Sequence, residues 1–168
     1  MKQQVVLLSK TFFPKHRKAG EPTEFRDKVV RGRKRHTVRC NFSYWAERVK
    51  KLQEAGGVLS IREWSGKAYR SPQEVILDVP ASLIEVQRLE LTRTAKSYEE
   101  DGWTRGYYEW DATVDGQFAD LRRLAHNDGL LTKDFIEFFN PVFEEYAKGN
   151  PEKLTLTFAV IHFTTFRY

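Results

Sequence analysis

Gly32-Arg33-Lys34-Arg35-His36-Thr37-Val38-Arg39 sets one lysine, one threonine and three arginines behind a glycine that can end a helix. Such a cluster grips a phosphate. It also lowers the pKa of its own lysine by like-charge repulsion, and burial adds to that push. In a straight strand Lys34 and Thr37 point to opposite faces. They meet only if the backbone bends after Gly32, which a helix stop there permits, and Thr37 and Arg39 then share a face. A neutral lysine beside a threonine hydroxyl takes its proton, the lysine-assisted form of nucleophile activation. The plainer reading keeps Arg33, Lys34 and Arg35 as a solvated turn on a phosphate backbone, with Thr37 an ordinary strand residue.

Outward from this stretch, Thr23 caps an expected helix from Glu24 to Arg31, with Gly32 as its left-handed stop. Before it, Val5 to Leu8 reads as a short buried strand and Ser9 to Pro22 as a basic loop. After it, Trp45, Val49 and Leu52 recur at helical spacing, so Tyr44 to Ala55 is expected to be a helix closed by Gly56-Gly57. Val58 to Trp64 alternates as a strand with one wet face. Further strands are expected at Glu74 to Val79, Ile84 to Leu91 and Leu154 to Phe166, and helices at Asp120 to Ala125 and Thr132 to Phe139. Residues 98–117 show weak periodicity and read as a loop-rich insertion. Short strands with a few helices and no regular βαβ alternation imply an α+β fold with a curled, barrel-like sheet.

At 168 residues the chain fits one domain, 1–168, with a real core. The net charge is +5, but Lys10 to Arg39 holds eleven basic and three acidic residues, net +8, which leaves the remainder at −3. A basic end on a mildly acidic body implies an anion-facing side. Cys40 is the only cysteine, which excludes an intrachain disulfide and points to a reducing compartment. The apolar start is too short for a signal-peptide core or a membrane span. A cytoplasmic protein without membrane contact is expected.

The pattern Gly32-x-Lys34-x-x-Thr37-x-Arg39 resembles the signature of the ASCH superfamily, compact β-barrel domains related to the PUA fold. The general pattern there is Gly-x-Lys-x-x-Glu-x-Arg. Thr37 in place of the glutamate is similar to the family's small amidohydrolase branch, which removes the acyl group from N4-acetylcytidine. The resemblance implies Lys34 as activator and Thr37 as nucleophile. That branch also uses a later glutamate, and the nearest acidic residue here is Asp128, before Thr132. The chain also carries a long middle section that the smallest members lack.

Three further groups bear on the reading. Trp64-Ser65-Gly66-Lys67-Ala68-Tyr69-Arg70 joins aromatics and cations in a turn. A base stacks on Trp64 or Tyr69 while Lys67 or Arg70 meets its phosphate, unless Trp64 is simply pinned in the core. Asp128, before Gly129, is either a turn residue or a carboxylate beside Lys34 and Thr37. The adjacent Glu99, Glu100 and Asp101 point apart, and the four histidines lack metal spacing, so no metal or cofactor is expected. His162 reads as a satisfied core histidine, and His36 as facing away from Thr37. The expected ligand is RNA or a modified nucleoside. It would lie in a basic cleft with Lys34, Thr37 and Arg39 as its floor and Arg33 and Arg35 at its mouth. A metal-independent amidohydrolase and a ribonuclease are the competing readings.

Overall fold

The computed structural model describes residues 1–168 as a mixed α+β fold of eight strands and four α-helices. A three-stranded sheet joins β1 (Gln3–Leu7), β3 (Val58–Trp64) and β4 (Gln73–Pro80), with β1 parallel and β4 antiparallel to the central β3. A five-stranded antiparallel sheet runs β2 (His36–Cys40), β8 (Lys153–His162), β5 (Glu85–Glu100), β6 (Trp103–Val114), β7 (Gln117–Ala119). No strand ladder joins the sheets. A side chain does: the Arg39 guanidinium on β2 donates to the Leu7 carbonyl on β1.

One buried cluster draws on both sheets and on α1 (Phe25–Val30), α2 (Phe42–Glu54), α3 (Leu121–Asn127) and α4 (Thr132–Tyr146). The expected apolar spacing on α2 buries Val49 and Leu52, with Trp45 against the core. Asn41 caps it, its side chain accepting from the Tyr44 amide at 3.1 Å. α4 outruns its expected end at Phe139 by seven residues, through Pro141. A mid-helix proline costs about 3 kcal/mol. Phe135, Phe139 and Phe143, one turn apart, stack into the core, and Phe143 is sealed against Trp110 at 4.8 Å. Burying one such ring is worth about 1.5–3 kcal/mol, so the packing offsets the break.

Residues 98–117 are no loop. β5 and β6 form a long hairpin in unbroken register from Leu89↔Val114 to Glu100↔Trp103. From Lys96 to Glu109 both faces lie in solvent, so no apolar alternation marks the strands. The signal that remained was β-propensity in Thr, Tyr and Trp around the Asp101-Gly102 turn, where both φ angles are positive (50° and 77°).

Candidate functional site

The bend after Gly32 is built from backbone hydrogen bonds. Gly32 is left-handed at φ 70°, and the amides of Arg33 and Lys34 both donate to the Lys28 carbonyl, at 2.8 and 2.9 Å. Arg35 then donates to the Asn127 carbonyl at 2.7 Å, and β2 begins at His36. Lys34 therefore stands before the strand, free of its alternation. Its side chain shares a recess of about 50 Å3 with Thr37, Arg39 and Asp128.

Lys34 is only 1% exposed. Its ammonium donates to the Asp128 carbonyl at 2.6 Å and to Asp128 Oδ1 at 3.0 Å, and it lies 4.3 Å from the centre of the Phe25 ring. Burial pulls the amine below its ordinary pKa, against the opposing charge of Asp128. Burial alone would raise the Asp128 carboxyl, but Lys34 and His36 outweigh it and hold the acid below its usual range. Asp128 is thus a carboxylate, beside an amine readier than a free lysine to release its proton. Thr37 is buried on the same recess, and no protein group hydrogen-bonds its hydroxyl. Asp128 also ends α3, so it is both turn residue and partner.

Gly129 separates two lysines. Its φ is 82°, and a Cβ there would stand 3.3 Å from both the Lys28 Cδ and the Lys34 Cβ. Lys28 donates to the Thr23 and Gly129 carbonyls at 2.8 and 2.9 Å.

Behind the pair lies a polar network that the sequence patterns did not reveal. His36 is fully buried and faces away from Thr37, as strand alternation requires, yet its Nδ1 comes within 3.5 Å of Asp128 Oδ1. Its Nε2 is 2.8 Å from the Tyr168 hydroxyl, which also accepts from Asn127 Nδ2 at 3.2 Å. A carboxylate only accepts, so the His36 proton belongs on Nδ1, which faces Asp128 without a formed hydrogen bond, and Nε2 accepts from the Tyr168 O–H. Burial lowers the His36 pKa and raises that of Tyr168 to about 12, keeping both neutral. His162, expected to be satisfied, is not. It is fully buried and neither ring nitrogen has a partner. Burial first, then His36 and Arg167, bring its pKa down to about 3.

The recess adjoins an open groove of about 1000 Å3, with Ser9 and Arg39 lining both. The groove carries the expected Trp64, Lys67 and Tyr69, and adds Lys10 and Phe13 from the basic loop. Trp64 is half-buried, its ring 5.3 Å from that of Tyr69, so it is both anchored and presented. Tyr69 is 88% exposed. Three expected site residues lie elsewhere. Arg33 lines a separate cavity of about 340 Å3 beside Lys28. Arg35 lies over the Phe166 ring, at 5.4 Å, because its amide is tied to α3. Arg70 is exposed and lines neither recess nor groove, since the turn after Tyr69 carries it outward.

No protein-family model, no curated protein and no solved structure matches this chain.

Proposed function

We propose that this is an ASCH-like domain that binds single-stranded RNA or a nucleotide-like ligand. In this reading its two sheets are the halves of a PUA-like curled barrel and it works in the cytoplasm. The Arg39–Leu7 tie between the sheets supports the barrel. One observation carries the binding reading: an aromatic pair and three cations, Lys10, Arg39 and Lys67, line one open groove. Bases stack on the rings while the cations meet phosphates, the usual division of labour in single-strand binding. The test is titration of labelled single-stranded RNA at two salt concentrations. Three phosphate contacts give a log–log salt slope of about −2. No binding at low salt removes the reading.

A second reading rests on the recess. With about 50 Å3 it has no room for a base but takes a small acyl group, while the attached base stays in the groove. Once Lys34 has released its own proton, its neutral amine takes the hydroxyl proton as Thr37 Oγ1 attacks the acyl carbonyl carbon and returns it to the leaving amine, and Arg39 steadies the oxyanion. Water then attacks the Thr37 ester while giving a proton to the Lys34 amine, and that proton passes to Thr37 Oγ1 as the acyl group leaves as its acid. Asp128 holds the lysine in place. This metal-independent amidohydrolase turns over N4-acetylcytidine in the presence of chelator, and both Lys34→Ala and Thr37→Ala abolish turnover. Absence of product from the wild type across a wide pH range discards it. A ribonuclease reading falls if RNA stays intact after long incubation.

A further inference from the structure

The free edge of the β5–β6 ribbon is built to pair with itself. β7 covers β6 only from Ala112 to Val114, so Trp103 to Asp111 has β5 on one side and nothing on the other. Natural sheets blunt such edges with proline, lysine, bulges or a covering loop. This stretch, Trp-Thr-Arg-Gly-Tyr-Tyr-Glu-Trp-Asp, has no proline, no lysine and no bulge, and its three charges, Arg105, Glu109 and Asp111, are of both signs. It also exposes aromatic surface: Trp103 is 71% exposed, and Tyr107 and Tyr108 about half.

The turn decides which backbone groups are free. A two-residue turn with both φ angles positive closes on a hydrogen-bonded pair, here Glu100 and Trp103. Hydrogen-bonded pairs alternate along an antiparallel ladder. Trp103, Arg105, Tyr107, Glu109 and Asp111 therefore direct their backbone groups at β5. Thr104, Gly106, Tyr108 and Trp110 direct theirs outward, without partners.

We propose that two copies of this chain join edge to edge through β6, antiparallel, about a two-fold axis at Tyr107. In that register Gly106 meets Tyr108 of the other copy and Thr104 meets Trp110, so the residues with outward backbone groups face each other. On the opposite face Tyr107 meets Tyr107 and Arg105 meets Glu109 twice, once on each side of the axis. Arg105 already lies 3.4 Å from Glu100, and Glu109 lies 3.8 Å from Lys96. The junction thus extends two exposed pairs into an alternating row of four charges. Moving the axis to Gly106 sets Arg105 opposite Tyr107 and loses that match, and moving it to Tyr108 sets Arg105 opposite Asp111 but brings Thr104 against Ala112, which β7 already pairs. An isologous contact needs this self-complementarity, and opposite charges directly across strands favour one register.

Sedimentation of the full chain tests the proposal. The wild type runs as a dimer of the 19.7 kDa chain. Gly106→Pro removes an outward N–H without touching the β5 ladder, and gives a monomer with unchanged circular dichroism. Arg105→Glu and Glu109→Arg each set like charges opposite, weakening self-association by roughly tenfold or more. An equimolar mixture of those two variants restores wild-type association, because each charge then faces its opposite. That rescue holds the test open even if the proline variant fails to fold. The proposal is overturned by a wild type that stays monomeric at its highest soluble concentration, which leaves the edge to a strand from another protein. It is equally overturned by a dimer that a folded Gly106→Pro leaves unchanged, or by a mixture no tighter than its components.

Discussion

The two ends of the five-stranded sheet break the usual rule of burial in opposite directions. At the β2–β8 end, Lys34, His36, Asp128 and His162 are sealed from water. At the far end of β5 and β6, Tyr98, Trp103, Tyr107 and Tyr108 stand in it. At the first end Lys34 and Asp128 are paired, while His162 has no partner. The second end gives up stabilisation of about 25 cal/mol for each Å2 of apolar surface left wet. Departures from apolar-in, polar-out are costly, so they mark the places where a chain does more than fold. Here one end holds the recess and the other an edge without a partner.

The sharpest way to break this contrast is to unpair the buried end. Asp128→Ala leaves the Lys34 ammonium buried alone and costs about 3–5 kcal/mol in urea unfolding. Lys34→Met combined with Asp128→Leu recovers most of that loss, since no charge is then stranded.

Acid probes the same end. The unfolded His162 takes a proton near pH 6.5 and the folded one only near pH 3. The unfolded state binds more protons throughout that window, so stability falls as pH drops through it. The loss reaches about 2 kcal/mol by about pH 5. His36, also depressed by burial, acts in the same direction. His162→Leu flattens the slope without lowering stability at neutral pH, as chemical unfolding at several pH values will read out.

Gly129→Ala tests the partition between the lysines. The left-handed φ and the 3.3 Å approaches to both side chains predict a loss of about 1–2 kcal/mol. At the other end of the sheet, Tyr98→Ala shifts unfolding by no more than about 0.5 kcal/mol, because its ring is half exposed on the ribbon beside that of Tyr107.

The contrast also explains what the chain discloses before folding. The recess was legible because it depends on local rules. A glycine stop, a bend and two positions of strand spacing bring Lys34, Thr37 and Arg39 together. Asp128 is the nearest acid to the place the resemblance marks, and its Oδ1 lies 3.0 Å from the Lys34 amine. The α2 and β3 elements were legible through one-sided burial. The ribbon was not, since strands wet on both faces carry no alternation, and neither was the end of α4, where tertiary packing overrides a proline. The second face of the site stayed hidden for another reason. Tyr168 reaches His36 only through sheet pairing across more than a hundred residues. Arg33 and Arg35 do not reach the expected mouth because the hooked backbone sends them to different sides.

In the proposed reading, groove and recess form one ligand site, while the ribbon takes no part in it. Nuclear magnetic resonance of the four tryptophan indole N–H groups, with a short single-stranded RNA added at low salt, tests this most directly. The expected result is that the Trp64 indole shifts on binding together with the Thr37 amide, that both return as salt is raised, and that the Trp103 indole stays in place. A Trp64 signal that ignores the RNA, or a Trp103 signal that follows it, contradicts the account.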